Sequence, residues 1–434
     1  MQRSALFLAA AALSSLASHT NALDTGLTVF EESEYTSNTA RTKDNEISEW
    51  IHSPGVNLTA NHQGPKLELD VDYTLIRRLY QEDLWEDNNE SRGTVFLNWD
   101  TVPERLSFTV NHTRTQSAVR TTAATTPDNR QETTVTSAGP TVRFNPRGAD
   151  EVLLQYFRGK RTAELTRNDA DTDTFIGSYI WNASDTRSIT LSATRNEVDY
   201  DEEFAPDIEY NTGELTWARN LKDLQLSIMG GYTDAKRSND FEDVDGGIYD
   251  AMLTWQISPS TRLVLQGARD IRDQSTYLTS GVFYSDLDVS VSSDLGAVFT
   301  NDRGVISLNH QLNSVTSIDF SANFDAEDYK DADLARDVDR ETYHVRLNRE
   351  LTPTLDFTLS ALIASEDYKD GGGSTDTWRT NATFRYAAAR NLQLQATLRY
   401  QDRDSDGDFF GTDFTFDEWA LLFRITYDVL PGRR

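Results

Sequence analysis

The segment NLQLQATLRYQ, residues 391–401, alternates apolar and polar side chains without a break. Its apolar positions are every second residue, namely Leu392, Leu394, Ala396, Leu398 and Tyr400. Successive side chains of a β-strand point to opposite faces, whereas an α-helix would place these five residues on all sides. The segment is therefore predicted to be a strand with one apolar face and one polar face.

The same two-residue period recurs along the whole chain, in ranges 67–73, 106–111, 189–193, 224–228, 318–325, 343–347 and 355–363. After the first 22 residues, no stretch is apolar for long enough to form a membrane-spanning helix, which needs about 20 such residues. The chain is therefore predicted to be all-β, with strands that each carry two chemically different faces.

Two kinds of connection alternate between these strands. Short turns rich in Pro, Gly, Asn and Asp occur at 64–65, 145–148 and 258–260, and longer polar segments occur at 81–90 and 402–412. This alternation is typical of membrane barrels, whose periplasmic turns are short and whose extracellular loops are longer. It predicts a single transmembrane antiparallel up-and-down β-barrel of about 20 strands (18–22 allowed), counted at roughly 9–11 residues per strand. Residues 282–311 are compatible with either one long strand or three shorter ones.

The N-terminus has the composition of an export signal. Arg3 is followed by the apolar run Ala5–Leu16 and by the small residues Thr20-Asn21-Ala22. This predicts a cleaved signal peptide over residues 1–22 and a barrel over residues 23–434, with no plug or periplasmic domain before the first strand. The expected location is therefore the outer membrane of a Gram-negative bacterium, as an integral protein.

Composition narrows the class of protein further. The formal net charge is −29, which argues against nucleic acid as a partner, and the absence of cysteine excludes a disulfide scaffold and thiol chemistry. Only 38% of the residues are hydrophobic, yet the chain contains 8 Trp, 17 Tyr and 20 Phe. Disordered chains are poor in aromatic residues, whereas a barrel that faces both lipid and water needs apolar and polar positions in similar numbers.

A soluble β-sandwich is the alternative fold, because it also has alternating strands and turn signals. The export signal, the length of the strands and the alternation of short and long connections favour the barrel instead. Five tryptophans lie near predicted strand ends, where membrane-interface girdles place amphipathic rings: Trp50, Trp99, Trp217, Trp255 and Trp419.

The last strand, in which Trp419, Leu421, Phe423, Ile425 and Tyr427 alternate with polar or small residues, resembles the C-terminal assembly signal of outer-membrane barrels. That resemblance implies recognition by the barrel-assembly machinery and insertion into outer-membrane lipid. Here, however, Val429, Leu430 and residues 431–434 follow the aromatic position.

Two further segments carry a family resemblance: EYTSN at residues 34–38 and LTWQISPSTR at residues 253–262. With them, the mature chain resembles the outer-membrane β-barrel porins associated with exopolysaccharide and exosortase (PEP-CTERM) loci. The resemblance implies movement of a polymer across the outer membrane, beside a periplasmic polysaccharide-export partner.

The polar strand faces are predicted to line the interior of the barrel. The candidate pore-lining residues are Glu68, Asp70, Asp72, His344, Arg346, Asn348, Gln393, Gln395 and Arg399. Hydroxyl-bearing faces, such as the one with Thr190, Ser192 and Thr194, are expected to point the same way. Such a wall either holds water without selectivity or provides a track for a specific substrate.

No motif names a cofactor, a metal site or a catalytic residue, and the chain is expected not to be an enzyme. The acidic segment Asp402–Asp413 has oxygen ligands at the spacing of a calcium loop, but a solvated acidic loop is the alternative. Asp169, Asp171 and Asp173 repeat the spacing more weakly. The predicted function is a porin-like conduit, and the alternative is a non-transport surface barrel whose acidic loops interact with cations or with the envelope.

Overall fold

The computed structural model describes residues 23–82, 84–119, 126–165, 169–202, 205–239, 241–273, 297–330, 337–369, 373–406 and 415–430. Within these residues, twenty antiparallel strands form one closed barrel. The predicted signal peptide, residues 1–22, lies outside the described part of the chain. None of the helices in the described residues is both long and apolar enough to cross a membrane.

The strands are β1 (Asp24–Thr36), β2 (Glu49–Gln63), β3 (Leu67–Tyr80), β4 (Asn88–Val102), β5 (Leu106–Ala118), β6 (Arg130–Phe144), β7 (Glu151–Ala163), β8 (Ala170–Ser184), β9 (Arg187–Tyr200), β10 (Ile208–Asn220), β11 (Leu224–Arg237), β12 (Val244–Ser258), β13 (Thr261–Arg272), β14 (Phe299–Asn313), β15 (Thr316–Tyr329), β16 (Val338–Thr352), β17 (Leu355–Tyr368), β18 (Gly373–Ala389), β19 (Leu392–Asp406) and β20 (Phe416–Leu430). A single 3₁₀ turn, Pro127–Asn129, precedes β6.

Each strand pairs with the next one along the chain, and β1 pairs with β20 to close the ring. At the closure, Tyr35 lies opposite Trp50 of β2 on one side and opposite Leu421 of β20 on the other. Closure leaves no strand with an unpaired edge, which is the condition for a sheet to exist in lipid. The predicted fold class and strand number are confirmed.

The two ends of the barrel differ as the connections predict. One end, called the short-turn end here, has tight connections such as 185–186 and 353–354. In another of its turns, Gly148 has φ of 57°, a left-handed conformation that favours glycine. The opposite end, called the long-loop end, carries connections such as 37–48 and 119–129.

The strands are longer than the sequence estimate of roughly 9–11 residues, and range from 12 residues in β13 to 17 in β18. The difference arises because pairing continues past the apolar part of each strand into polar sequence. The strand β9, for example, runs through Glu197 and Asp199 to Tyr200. The connection 37–48 was not among the predicted long segments. In the region left open by the sequence, β14 begins at Phe299, and residues 274–296 lie outside the described range.

Candidate functional site: the inner wall of the barrel

The two faces of each strand differ as expected for a barrel with lipid outside and water inside. Large apolar side chains stand exposed on the outer surface, among them Leu191 at 58%, Leu215 at 55% and Ile425 at 51%. Leu191 and Leu215 are direct cross-strand partners, so they share a face. Their chain neighbours Thr190 and Thr216 point the opposite way and are also partners. The outer surface is therefore suited to hydrocarbon and the inner one to water.

Aromatic rings mark two levels on the outer surface. Near the long-loop end, Tyr35 packs between Trp50 and Trp419, with 5.3 Å between ring centroids in each pair. Near the short-turn end, Trp99 and Tyr427 are exposed on the same surface. Along β20, the eight residue steps from Trp419 to Tyr427 span roughly 26 Å of strand, or about 20 Å at the usual tilt. That height is comparable with the apolar band of outer-membrane barrels.

The inner wall near the long-loop end carries a network of charged side chains. Glu418 of β20 accepts hydrogen bonds from Thr36 Oγ1 at 2.7 Å, from Arg41 Nε at 3.0 Å and from Arg399 Nη2 at 3.0 Å. Arg399 also donates to Glu34 Oε1 at 2.5 Å. Since Arg41 belongs to the connection 37–48, this network holds that connection against the inner wall.

Asn38 fixes the same connection in place and is itself fully buried. Its side-chain amide donates to the carbonyl oxygen of Thr42 at 2.8 Å and to that of Asp417 at 3.1 Å. A cavity of about 190 Å³ lies beside this connection and is lined by Arg78 of β3 and by residues of the network, among them Arg41. The connection 37–48 therefore occupies part of the interior at the long-loop end.

A buried apolar cluster occupies another part of the same end. It includes Val198, Ile208 and Val244 from three successive hairpins. Beside it, Asp273 is fully buried and accepts hydrogen bonds from Tyr200 Oη at 2.5 Å and from Tyr210 Oη at 3.0 Å. The expectation of a wholly polar inner face therefore needs correction here, because these side chains pack against each other instead of meeting water.

Further along the inner wall, charges alternate between neighbouring strands. Arg340 of β16 lies 2.6 Å from Glu327 of β15 and 3.5 Å from Glu366 of β17. Arg272 of β13 lies 3.1 Å from Asp270 on the same face. Arg272 and Asp270 compensate each other, whereas the group of Arg340, Glu327 and Glu366 retains one negative charge.

A larger polar cavity, of about 860 Å³, opens at mid-height against β14–β20. Five of the predicted pore-lining residues line it: His344, Arg346, Asn348, Gln395 and Arg399. The volume is within the range of small-molecule binding sites. The lining combines hydroxyl, amide and guanidinium groups, which hydrogen-bond water and polar solutes.

The remaining predicted residues lie elsewhere on the inner face. Gln393 is two residues closer to the short-turn end than Gln395, on the same side of β19, but it does not line the cavity. Glu68, Asp70 and Asp72 share the inward side of β3, where all three are exposed. Asp72 accepts a hydrogen bond from Asn57 at 2.6 Å. These three predicted acidic residues are thus on β3, away from the cavity that Arg346 and Arg399 line.

Several residues of the inner wall escaped the sequence analysis. Arg379 and Arg385 line the polar cavity together with the predicted arginines. Arg424 of β20 lies over the ring of Phe30, 4.0 Å from its centroid, and that ring covers Gly55. Alternation within a strand predicts which face each side chain occupies, but it does not predict these contacts between side chains of different strands.

The two acidic segments with calcium-loop spacing lie at the long-loop end. Asp402–Asp406 belong to β19, and residues 407–413 of the proposed loop lie outside the described range. Of the weaker repeat, Asp171 lies 3.5 Å from Lys160, and Asp173 accepts a hydrogen bond from Tyr156 at 2.5 Å. In the described residues, no group of three or more potential ligands is placed to hold a metal ion.

One arrangement on the outer surface has the residue types of a hydrolase triad. His52 Nδ1 lies 3.0 Å from Ser33 Oγ and 3.6 Å from Glu31 Oε1. In a Ser-His-acid triad, the serine and the acid contact opposite nitrogens of the imidazole. Here both contact the same nitrogen, so the acid does not orient the imidazole from the opposite nitrogen as it does in a triad.

Comparisons with known proteins agree with the architecture. The family model described as "Putative beta-barrel porin 2" matches residues 303–424, from β14 to β20. A search of curated proteins finds no match.

Among solved structures, the chain is similar to the FrpB iron transporter from Neisseria meningitidis (F5-1 variant), with a TM-score of 0.51 and 9% identity over 93% of this chain and 82% of that one. It is also similar to the siderophore receptor PirA from Pseudomonas aeruginosa, with a TM-score of 0.48 and 11% identity over 94% of this chain and 80% of that one. At such identity the likeness to FrpB concerns the fold alone. The chain has an outer-membrane-type β-barrel fold, and its C-terminal strands match a porin family model.

Proposed function

We propose that this barrel is an integral outer-membrane protein of a Gram-negative bacterium and acts as a porin-like conduit for hydrophilic solutes. The observation that carries the proposal is the polar cavity of about 860 Å³ at mid-height on the inner wall, behind an outer surface suited to lipid. Inward residues beyond that cavity, such as Asp70 and Asp72, are exposed. Passage depends on the width and charge of the lumen, so it needs no covalent chemistry.

The connection 37–48 supplies the constriction in this proposal. It is attached to the inner wall through Arg41 and Asn38, and both attachments end on β20. A solute entering from the long-loop end meets this charged region before it reaches the wider cavity. The constriction therefore sets which solutes enter, while the cavity sets how they move on.

Export of exopolysaccharide is a finer version of this hypothesis. It depends on the sequence resemblance alone and requires a periplasmic partner to deliver the polymer. The burial of Asn38, Val198 and Asp273 at the long-loop end favours the second candidate function, a surface barrel that does not conduct. Both candidate functions keep the prediction that the chain is not an enzyme.

Single-channel recording in planar lipid bilayers tests the proposal. The refolded protein is first shown to be folded by its heat-dependent shift in electrophoretic mobility. We expect stable, repeated conductance steps, because a hydrated lumen conducts ions. Folded protein that stays electrically silent would overturn the conduit and favour the surface barrel.

A further inference from the structure

The mid-height cavity has a charge opposite to that of the chain. The protein carries a formal net charge of −29, yet four arginines line this cavity: Arg346, Arg379, Arg385 and Arg399. Asp319 is the one carboxylate among the described lining residues. Four positive charges against one negative charge leave an excess of three. The interior is thus locally cationic within a strongly acidic protein.

Part of the excess positive charge is compensated by carboxylates nearer the long-loop end. Arg399 lies 2.5 Å from Glu34 and 3.0 Å from Glu418, so its charge is held by the network at the long-loop end. The other three arginines still exceed Asp319 by two. Asp319 accepts hydrogen bonds from neutral amides as well, including Asn348 at 3.1 Å. Asp319 is the cross-strand partner of Arg346, and with the remaining arginines in excess the cavity still favours an anion.

The strand register brings two of these arginines within reach of one bound group. Arg346 of β16 is paired with Ser360 of β17, which is paired with Asn381 of β18, two residues from Arg379. Two strand spacings are about 10 Å, and two residues along a strand are about 7 Å. Long arginine side chains bridge such a separation and can share a carboxylate between their planar donor groups. Arg379 Nε also donates to Gln401 at 3.2 Å, which orients its guanidinium.

The cationic character continues towards the short-turn end. Arg385 is paired with Gln395, which is paired with Arg424 on β20. Arg424 stacks on Phe30 and repels the guanidiniums of Arg385 and Arg92, and its one described ion-pair partner is Glu32 at 3.7 Å. An anion released from the first pair of arginines therefore meets a second cationic group further along the wall.

Hydroxyl groups surround the arginines. Those that line the same cavity are Ser307, Ser321, Thr358, Ser360, Thr383 and Thr397. Several are already engaged in hydrogen bonds between strands, such as Thr383 with Thr397 at 3.0 Å, which fixes their positions. Ordered hydroxyls at this density suit a solute that itself carries several hydroxyl groups.

From the charge, the register and the hydroxyls together, we infer that the cavity is a binding site for a hydroxylated carboxylate of the sugar-acid class. Arg346 and Arg379 hold the carboxylate, and the serine and threonine hydroxyls hydrogen-bond the polyol. Arg385 and Arg424 form a second anion-binding position on the wall, closer to the short-turn end. This inference rests on the proposed conduit, because it names the class of solute that the conduit favours.

Galacturonate and galactose form a suitable pair of probes, because they differ in the carboxylate alone. Their binding to the purified protein in detergent is measured by titration calorimetry, without any need for conduction. The selectivity of the channel is measured separately, from the reversal potential in a potassium chloride gradient. We expect binding of galacturonate but not of galactose, and a preference for chloride over potassium.

Arg346→Gln and Arg379→Gln each remove one guanidinium without leaving a cavity. Each is expected to weaken galacturonate binding about tenfold or more, as for the loss of a charge-assisted hydrogen bond. Arg143→Gln is the matched control, because Arg143 lies on the inward side of β6, where it pairs with Glu151 outside the cavity. Arg379→Lys keeps the charge and loses the planar donor pair, so intermediate binding is expected even where a glutamine variant fails to fold.

Equal affinity for the two sugars would overturn the inference, and so would a cation-selective channel. It would also be overturned if both glutamine variants of the cavity bound galacturonate as tightly as Arg143→Gln does. These results differ from the failure of the proposed conduit, in which folded protein does not conduct at all. A silent barrel that binds galacturonate through Arg346 and Arg379 would keep the site and remove the transport.

Discussion

Gly55→Ala is expected to destabilise the barrel through a clash on its inner wall. A Cβ atom at residue 55 would lie 2.2 Å from Cζ of Phe30, whereas ordinary contacts begin at 3.4 Å. The difference, 3.4 − 2.2 = 1.2 Å, is the distance by which the ring must withdraw. Phe30 is only 6% exposed, and Arg424 covers its ring, so the space for withdrawal is small. Overpacking of this kind costs about 1–3 kcal/mol.

The assay is reversible unfolding by urea in lipid vesicles, followed by tryptophan fluorescence. We expect the free energy of unfolding to fall by about 1–3 kcal/mol in Gly55→Ala. The control is Gly213→Ala, because a Cβ atom there would have nothing within 4 Å. That control should be neutral or slightly stabilising, since alanine restricts the unfolded chain more than glycine does.

A double variant separates the clash from other effects of the substitution. Phe30→Leu removes the ring, so Gly55→Ala should cost much less in that background than in the native one. The reasoning would be refuted if Gly55→Ala were as stable as Gly213→Ala, or if its cost were the same with and without the ring of Phe30.

Three other perturbations test separate parts of the structure. Leu215→Arg places a charge on the lipid-facing surface and should lower the free energy of unfolding in vesicles by about 2–4 kcal/mol. Thr216→Arg places the same charge on the inward face and should lower it far less, and similar losses in the two variants would argue against two different faces. Asp273→Ala leaves the hydroxyls of two buried tyrosines without this acceptor and should lower the free energy of unfolding by about 1–3 kcal/mol per hydroxyl. An unchanged urea midpoint would contradict a stabilising role for Asp273. Arg41→Gln removes the ion pair that attaches the connection 37–48 to β20, so single-channel conductance should rise or fluctuate more. Glu46→Gln, at an exposed position of the same connection, should leave the conductance unchanged.

The fold was predictable because its main determinant is local. Alternation such as that of residues 391–401 gives the facing of each residue from two-residue periodicity alone, and turn composition gives the order of short and long connections. Strand length was underestimated, since pairing at the long-loop end continues in polar sequence where alternation of hydropathy is lost. Val198 and Tyr200 show the same limit, because they face inward yet pack in an apolar cluster.

The site was only partly predictable because its contacts join distant parts of the chain. Thr36 and Glu418 are 382 residues apart and meet only because β1 closes on β20. The cavity needs the register of β16–β19 to bring Arg346 towards Arg379, and a single strand sequence contains no information about that register. Gly55 gave no signal either, since its importance comes from Phe30 on the neighbouring strand.

Single-cysteine labelling along β16 tests the two-faced barrel most directly, and the absence of native cysteine makes each introduced thiol unique. Cysteine is placed in turn at positions 343 to 348 of the protein in vesicles, and the attached spin label is probed with oxygen, which enters lipid, and with a water-soluble nickel complex. We expect oxygen to reach positions 343, 345 and 347 and nickel to reach 344, 346 and 348, in strict alternation. Equal accessibility of all six positions to nickel, or a period of three to four residues, would contradict the account.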